Sequence, residues 1–390
     1  MRAVIACGGT GGHLFPGIAV AETLRASGAQ TMLVLSRKAI DRQGARVAPT
    51  IELEFIPAIG APSGFSPRWI SFGATFAASV FASLRILRRF RADAVMGMGG
   101  FTSAAPIVAA NLLGIPSLIH ESNAVPGKAN RFTSRWASAI AVGMAGCARF
   151  FPPATTYITG TPVRGGLRRV DPDEARVQLG LQRGWKTVLV MGGSQGARAL
   201  NNAIVESLSL LKCDRARLQV IHLCGAGNAA ELRAAYAKQG VTARVEEFLR
   251  EMDLAYSAAD VVVSRAGASS LAEIARYGLP SVLVPYALAA NQHQLRNAEA
   301  AANSGAAQIV LEERLEGETL GSVFNEVLTN ETLRHSMGEA SSRLASPDSS
   351  QHIASLLYRI AGVENADVPL PSAPPQARQS AQAELTRTVL

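Results

Sequence analysis

The chain has 390 residues, of which 48% are hydrophobic and 17% charged, and it carries a formal net charge of +8. This composition describes a soluble globular protein that is long enough to form two domains with separate cores. A disulfide framework and a thiolate zinc site are disfavoured, because the four cysteines are far apart and form no CxxC pair: Cys7, Cys147, Cys213 and Cys224. A reducing cytoplasm fits this pattern, and no secretion leader precedes the first predicted strand.

The basic excess lies entirely in the N-terminal part of the sequence. Residues 1–164 contain 16 Lys/Arg against 6 Asp/Glu, whereas residues 165–390 contain 22 against 24. Nucleic acid is disfavoured as a partner, because these basic residues are not interleaved with exposed aromatic ones. An anionic membrane surface, or an anionic substrate carried on such a surface, is the better candidate.

The first half of the chain alternates apolar runs, small-residue turns and helical patterns. VIACGG predicts a first strand, followed by a helix near residues 16–27, and TMLVLS predicts a second strand. The stretch AVMGMGGFTSAAPIVAANLLGIP predicts a further strand, a glycine turn and a helix that Gly114 and Pro116 close. SLIHESN and AIAVG predict the next two strands.

The second half repeats this order. TVLVMGGSQGARALNNAIVESL predicts a strand, a loop and a helix, and LQVIHLCG, ADVVVSRAGASSLAEIARYG and PSVLVPY continue the pattern. Continuous apolar strands that alternate with helices predict parallel sheets covered on both faces. The sequence therefore predicts two βαβ-type units, one from about residue 2 and one from about residue 186, joined by a linker over residues 159–175.

Neither glycine loop is a standard nucleotide fingerprint. GGTGGH lacks the GK[ST] of a P-loop and does not fit GxGxxG. The second strand ends in Ser36, Arg37 and Lys38 and lacks the acidic residue that binds a dinucleotide's ribose, which disfavours a nicotinamide cofactor. These glycines alone would also let a helix pack tightly on its strand, but the same small-residue turn recurs in GMGGFTS, GGSQGAR and SRAGASS. Four such turns in two domains predict two ligands that face each other across a cleft.

Six segments appear in an order that resembles one family. They are GGTGGHLFPGIAVA, GMGGFTSAAP, HESNAVPGKANR, GTPVR, GGSQGAR and SRAGASSLAEIARYGLPSVLVPY, and they cover most of residues 4–297. Together they are similar to the MurG family of bacterial transferases in glycosyltransferase family 28. The resemblance implies the α/β GT-B fold, in which two Rossmann-like parallel-sheet domains face a cleft. It also implies inverting transfer of N-acetylglucosamine (GlcNAc) from UDP-GlcNAc to the 4-hydroxyl of the muramyl sugar of lipid I, which gives lipid II for peptidoglycan.

The same resemblance implies a division of the chain. Residues 1–160 form the N-terminal domain that faces the acceptor and the membrane, and residues 161–345 form the domain that binds UDP-GlcNAc. Residues 346–363 form a C-terminal helix, for which packing back onto the N-terminal domain is an open expectation. Residues 364–390 are rich in Pro, Ala and Gln, and their composition predicts a disordered tail.

By position within the motifs, the resemblance implies the residues that bind each substrate. Asn123 and Gln294 face the GlcNAc, whereas Glu273 faces the ribose hydroxyls. Leu249 meets the uracil through its backbone, and the helix start at 268–273 binds the diphosphate and sugar. Gly9, Gly99 and Gly100 face the acceptor's diphosphate. The full donor set is Thr10, Gly11, Gly12, Asn123, Arg164, Ser194, Leu249, Ala268, Ser269, Ser270, Leu271, Ala272, Glu273 and Gln294.

The catalytic candidates are His13 and Glu121. Imidazole accepts a proton near neutral pH, which suits His13 as the base for the acceptor hydroxyl, although a hydrogen bond to the acceptor or the loop would also explain it. Glu121 is either a base or a buried partner for a nearby cation. His120 is expected to end a strand and to orient the loop that follows. His222 and His293 are interpreted as structural.

No metal and no cofactor are predicted. Metal-dependent sugar transferases often use a DxD pair, and the only DxD here is Asp171-Pro172-Asp173. The segment DPDEA is more typical of a helix start, with an aspartate as the N-cap and proline in the first turn. Helix N-termini would instead stabilise the departing diphosphate, because their free N–H groups supply positive potential.

A membrane-facing segment is predicted near residue 70. Residues 69–84 hold no charge and precede a cluster of arginines, but sixteen residues are fewer than the roughly 20 that span a bilayer. Four residues keep helical spacing and are expected to face the core: Phe76, Val80, Leu84 and Leu87. Four others would form an apolar rim on anionic lipid: Trp69, Ile70, Phe72 and Phe81. The resemblance implies a peripheral enzyme on the cytoplasmic face of the inner membrane.

Two other functions stay open at this point. One is a GT-B transferase with a different acceptor, such as a glycolipid, and the other is a non-catalytic protein that binds a nucleotide sugar or a phospholipid. Other cell-wall synthesis proteins are a further candidate class of partner. The sequence leaves the oligomeric state and the peptide preference undetermined.

Overall fold

A computed structural model describes residues 1–38, 41, 50–58, 60, 62, 67–192, 197–212, 215–289 and 292–363. Within them the chain forms two α/β units, each built on one parallel sheet. The two Rossmann-like parallel-sheet domains expected from the sequence are therefore confirmed.

The N-terminal sheet has seven strands in the order β3-β2-β1-β4-β5-β6-β7. The strands are β1 Arg2–Ala6, β2 Gln30–Ser36, β3 Glu52–Ile56, β4 Ala94–Gly97, β5 Ser117–Glu121, β6 Ala139–Val142 and β7 Thr156–Ile158. Its helices are α1 Gly11–Ala26, α2 Arg68–Phe90, α3 Gly100–Leu112 and α4 Lys128–Thr133. Every strand pair is parallel, and β1, β4 and β5 are almost entirely buried, which explains their continuous apolar sequences.

The C-terminal sheet has six strands in the order β10-β9-β8-β11-β12-β13. The strands are β8 Lys186–Met191, β9 Leu218–Leu223, β10 Thr242–Glu246, β11 Val261–Ser264, β12 Ser281–Leu283 and β13 Ala307–Ile309. Its helices are α5 Pro172–Gln178, α6 Arg198–Ser207, α7 Ala229–Lys238, α8 Met252–Ala258, α9 Ala268–Arg276, α10 His293–Asn303, α11 Gly317–Thr329 and α12 Glu331–Arg343.

The order of strands reverses direction at one point in each sheet. In the first sheet β1 lies between β2 and β4, and in the second β8 lies between β9 and β11. Ligands of open α/β sheets bind beyond the carboxyl ends of the strands at such points. The loops after β1, β4, β8 and β11 are the four small-residue turns found in the sequence.

The last described helix, α13 Ser349–Ile360, returns to the first domain. Ile353, Leu356 and Leu357 are almost fully buried and belong to the same apolar cluster as residues of β1 and α1. At roughly 25 cal/mol per Å² of buried apolar surface, such side chains hold helix α13 on the N-terminal core.

The chain therefore passes from the first domain to the second and later back again. The two connecting segments, here called the crossings, are in contact. Gly160 lies in the first crossing with φ of 78°, and a Cβ built on it would lie 2.1 Å from the Cβ of Ser346 in the second. Glycine is required here for two reasons, the left-handed backbone and the absence of space.

Helix α2 is longer than the uncharged segment predicted from the sequence. It has 23 residues with a mean hydropathy of 1.6 in its most apolar window, so its length and composition would permit it to cross a membrane. Phe76, Val80 and Leu84 pack against the core as expected, and Leu87 is buried in it. Of the predicted rim, Trp69, Ile70 and Phe81 are exposed by 44%, 81% and 66%. Phe72 is instead half-buried between Phe76 and Phe101.

Candidate active site

The opening glycine loop is held by a carboxylate that the sequence analysis did not identify. The N–H of Gly9 donates to both oxygens of Asp41, at 2.8 and 2.9 Å, and Ser36 N donates to the same side chain at 3.2 Å. A Cβ on Gly8 would lie 2.7 Å from Asp41 Oδ2, so glycine is needed for this close approach. The Gly9 amide is thus directed at Asp41, and the contact of Gly9 with the acceptor's diphosphate stays a prediction.

Helix α1 begins at Gly11, five residues earlier than predicted, which places His13 in its first turn. Pro16 lies inside this helix and has no N–H to donate to the carbonyl of Gly12. That carbonyl instead accepts a hydrogen bond from Ser269 Oγ of the other domain, at 3.0 Å. Pro16 therefore leaves the Gly12 carbonyl free to accept a hydrogen bond from the other domain. Gly12 and Ser269, both predicted for the donor site, are thus in contact across the cleft.

His13 lies against the glycine turn that follows β4. A Cβ on Gly99 would lie 3.2 Å from His13 Nε2, and one on Gly100 would lie 3.4 Å from Nδ1. Thr10 Oγ1 is 3.2 Å from Nδ1. The ring therefore packs on the glycine turn that the resemblance predicts to face the acceptor's diphosphate. Gly99 and Gly100 have φ of 96° and 71°, so their left-handed backbone favours glycine, and at Gly99 a Cβ would also be tight against the ring.

The environment keeps the His13 ring in its neutral form. Burial lowers the pKa of His13 below its usual value of 6.5, although the charge of Glu121 and a hydrogen bond to the Gly8 carbonyl oppose this effect. His293 of the donor domain lowers the pKa further. A ring nitrogen that donates to a carbonyl leaves the second nitrogen free of a proton in the neutral form, which is the state that a general base requires.

Glu121 organises the loop that follows β5. Its Oε1 accepts from the backbone and side-chain amides of Asn123, at 3.0 and 2.9 Å. Its Oε2 accepts from Gly127 N and Asn130 Nδ2, both at 2.9 Å. All four partners of the Glu121 carboxylate are amide groups. The alternative in which Glu121 pairs with a cation is therefore not what the structure shows. A carboxylate so fully engaged is better suited to positioning Asn123 than to accepting a proton.

His120 is fully buried at the end of β5. Its Nε2 lies 3.0 Å from the carbonyl of Gly160, and its Nδ1 lies 3.3 Å from Ser122 Oγ. Burial lowers its pKa. His120 thus connects the loop after β5 to the interdomain crossing, in agreement with an orienting function.

His222 is also buried, in the C-terminal domain. Its two ring nitrogens lie 2.8 Å from Tyr236 Oη and 3.0 Å from Asn201 Oδ1. Burial lowers the pKa of His222 to about 4. These contacts fit the structural interpretation of this residue.

Glu273 lies on α9 between two partners. Its Oε1 is 3.3 Å from Arg164 Nη2, and its Oε2 accepts from Tyr256 Oη at 2.8 Å. Burial raises the pKa of Glu273, and Arg164 and Tyr256 oppose that rise. Arg164 also lies over the ring of Phe15 in α1, 4.5 Å from its centroid. The structure therefore brings the two predicted donor residues together, with Tyr256 as a partner that the sequence analysis missed.

Other described donor residues follow the carboxyl ends of three strands of the second sheet: Leu249 comes after β10, the start of α9 after β11, and Gln294 after β12. The helix α9 starts at Ala268 with Gly267 as its N-cap, and no side chain caps it. Leu249 is buried at 4% exposure in the C-terminal core, where its side chain packs against other apolar residues. Gln294 Oε1 accepts from Tyr286 N at 2.9 Å. Ser194 lies outside the described residues.

The carboxylates of the DxD segment are engaged as a helix cap. Asp171 Oδ1 accepts from the backbone N–H groups of Asp173 and Glu174, both at 3.0 Å, at the start of α5. Asp173 pairs with Arg176 at 2.7 Å. Among the described ranges, no group of three or more His, Cys, Asp or Glu side chains has the arrangement of a metal site.

Comparison with known proteins gives a consistent result over most of the chain. Residues 3–142 match the glycosyltransferase family 28 N-terminal domain, and residues 187–353 match the family's C-terminal domain. A protein of Thermodesulfovibrio yellowstonii is 38% identical over 358 residues, which is 90% of this chain and 97% of that one. A protein of Xylella fastidiosa is 37% identical over 359 residues, or 91% of this chain and 96% of its own length. Both are named UDP-N-acetylglucosamine--N-acetylmuramyl-(pentapeptide) pyrophosphoryl-undecaprenol N-acetylglucosamine transferase.

The solved structures agree with these relatives. The crystal structure of Acinetobacter baumannii MurG superposes with a TM-score of 0.73 and 29% sequence identity, covering 92% of this chain and 99% of that one. The similarity extends over both domains, which supports the GT-B arrangement.

Proposed function

This chain belongs to glycosyltransferase family 28, and from that membership we infer that it transfers GlcNAc from UDP-GlcNAc to lipid I and so forms lipid II for peptidoglycan. One structural observation supports the proposal most directly: the two domains meet at predicted donor residues. Ser269 Oγ at the start of α9 donates to the Gly12 carbonyl of the first domain, and Asn297 of α10 donates to Asn123. A sugar donor held by the second domain would then present its anomeric carbon to an acceptor held by the first.

The residues of the cleft suit an inverting displacement. His13 would accept the proton of the acceptor's 4-hydroxyl while the oxygen attacks the anomeric carbon from the face opposite UDP. The bond to the diphosphate breaks in the same step, and negative charge develops on the leaving group. The N-terminus of α9 supplies positive potential at that position.

Glu273 is proposed to hold the ribose of the donor. We expect Glu273→Ala to weaken UDP-GlcNAc binding by roughly 1.5–3 kcal/mol, the scale of hydrogen bonds to a charged group. Titration calorimetry measures this loss directly, and thermal unfolding checks that the variant remains folded without the contacts to Arg164 and Tyr256. A folded variant with unchanged affinity for UDP would exclude the assignment.

We propose further that the enzyme is peripheral and lies on the anionic cytoplasmic face of the membrane. Helix α2 has three exposed apolar residues, Trp69, Ile70 and Phe81. Three exposed arginines follow them in the same helix, Arg85, Arg88 and Arg89. An apolar surface beside positive charge favours a helix that lies in the interface between headgroups and acyl chains. The lipid-linked acceptor resides at the same surface.

Removal of this apolar surface is expected to weaken membrane binding. The double variant I70S/F81S should bind vesicles of anionic phospholipid about ten- to a hundredfold more weakly, because each side chain loses part of the ~1.5–3 kcal/mol that full burial gives. Sedimentation with vesicles measures the change. Leu288→Ser is the matched control, since Leu288 is also 81% exposed but lies in the other domain. Equal binding of all three proteins would contradict the proposal.

A further inference from the structure

Asn297 of α10 joins the two domains through a buried side chain. It has no exposed surface, and its Oδ1 accepts from Ala124 N at 2.9 Å. Its Nδ2 donates to Asn123 Oδ1 and to the carbonyl of Ala266, both at 3.1 Å. Two of these bonds reach the first domain, and the third fixes the side chain to the loop after β11.

These contacts fix which way the amide of Asn297 points. A primary amide has two N–H donors, and both are used here. A rotation of the amide by 180° would bring its oxygen against two carbonyl oxygens and its N–H groups against the N–H of Ala124. Such a rotation would leave buried polar groups without partners, which is costly.

Asn297 in turn orients the side-chain amide of Asn123, which lies between two hydrogen-bond partners. Its Nδ2 donates to Glu121 Oε1 at 2.9 Å, and its Oδ1 accepts from Asn297. An asparagine has two N–H donors and two lone pairs, so one donor and one acceptor are left over from these two bonds. That pair matches the needs of a sugar hydroxyl or of an acetamido group.

We propose that Asn297 is a positioning residue that makes recognition of the donor sugar depend on contact between the domains. The proposal rests on the function proposed above, in which Asn123 contacts the GlcNAc. Glu121, from the same domain as Asn123, holds one side of its amide, whereas Asn297, from the donor domain, holds the other. Asn123 is therefore fully oriented only when the domains meet.

The coupling has a thermodynamic consequence. If closure of the domains orients Asn123 for the sugar, then binding of the sugar must favour closure to the same extent. UDP lacks the sugar that would contact Asn123, so the affinity for UDP should not depend on this coupling. The bond between Ser269 and Gly12 is a second contact of the closed arrangement, and it does not depend on Asn297.

The test compares affinities for UDP-GlcNAc and UDP in variants of Asn297. We expect Asn297→Ala and Asn297→Asp to bind UDP-GlcNAc about tenfold more weakly, while UDP affinity stays within twofold of wild type. The aspartate variant keeps the shape and the acceptor for Ala124 N but cannot donate to Asn123, so it carries the test if the alanine variant does not fold. Asn303→Ala is the matched control, because Asn303 is exposed on the same helix.

A double-mutant cycle separates positioning from a general structural effect. In the background of Asn123→Ala, the change Asn297→Asp should weaken UDP-GlcNAc binding by no more than twofold, because the residue through which Asn297 acts is gone. Two independent tenfold losses that multiply in the double variant would overturn the inference, and so would an equal loss of UDP affinity. If the wild-type chain does not bind UDP-GlcNAc, the proposed function itself fails, which is a distinct result.

Discussion

Replacement of His13 by alanine is expected to slow GlcNAc transfer by about 10²–10⁴-fold, the usual contribution of a positioned proton acceptor. His13 lies in the first turn of α1 against the turn at Gly99 and Gly100, and its lowered pKa keeps the ring neutral at physiological pH. The donor contacts lie mostly in the other domain, so the affinity for UDP-GlcNAc should barely change. Steady-state kinetics with both substrates varied measures the effect on kcat.

The dependence of the rate on pH gives a second readout for His13. A base is active when deprotonated, so activity falls as the pH drops through its pKa. Because burial lowers this pKa, the acidic limb of the wild-type profile should lie below about pH 6.5, the unperturbed value. The His13→Ala variant should lose that limb.

His335→Ala is the matched control for these measurements, because His335 is exposed on α12 and pairs only with Glu339 among the contacts described. A His13→Ala enzyme that turns over within a few-fold of wild type would assign proton removal to Glu121 or to solvent. A variant that fails only in acceptor binding would make His13 a positioning residue.

The substitution Gly160→Ala is expected to destabilise the protein by about 2–5 kcal/mol. A Cβ at this position would lie 2.1 Å from the Cβ of Ser346, and the backbone has φ of 78°. Overpacking typically costs about 1–3 kcal/mol, and a left-handed backbone costs a residue with a Cβ about 1–2 kcal/mol more. A domain of about 150–250 residues loses about 2–4 °C per kcal/mol, so the midpoint of thermal unfolding should fall by roughly 4–20 °C.

Gly166→Ala is the control for that measurement. Gly166 lies on the same interdomain linker, and a Cβ built on it would meet no atom within 4 Å. If Gly160→Ala unfolds at the same temperature as Gly166→Ala, the two crossings are not in the close contact described here.

The sheets were predictable from the sequence because buried parallel strands have continuous apolar sequences. VIACGG and TVLVMGG each precede a small-residue turn, and β1 and β8 occupy the corresponding places in the two sheets. The start of α1 was predicted wrongly, because glycine is a poor helix former and Pro16 looks like an early helix position. The structure begins this helix at Gly11.

The contacts of the site were less predictable, because they join residues that are far apart in the chain. The hydrogen bond between Gly9 and Asp41 joins residues 32 positions apart, and the one between Asn297 and Asn123 joins residues 174 positions apart. No local spacing predicts such a pair. Glu121 illustrates a different limit, since the sequence indicates a buried carboxylate but not whether its partners are cations or amides.

The most direct test of the account is a transfer assay. The full chain is incubated with radiolabelled UDP-GlcNAc and a lipid I analogue in detergent, and the lipid fraction is analysed for a labelled disaccharide. The account predicts transfer with inversion at the anomeric carbon, so the GlcNAc of the product is β-linked to the 4-oxygen of the muramyl sugar. Bound donor without any labelled disaccharide, over a range of detergents, would contradict it and would favour a non-catalytic binding protein or a transferase with another acceptor.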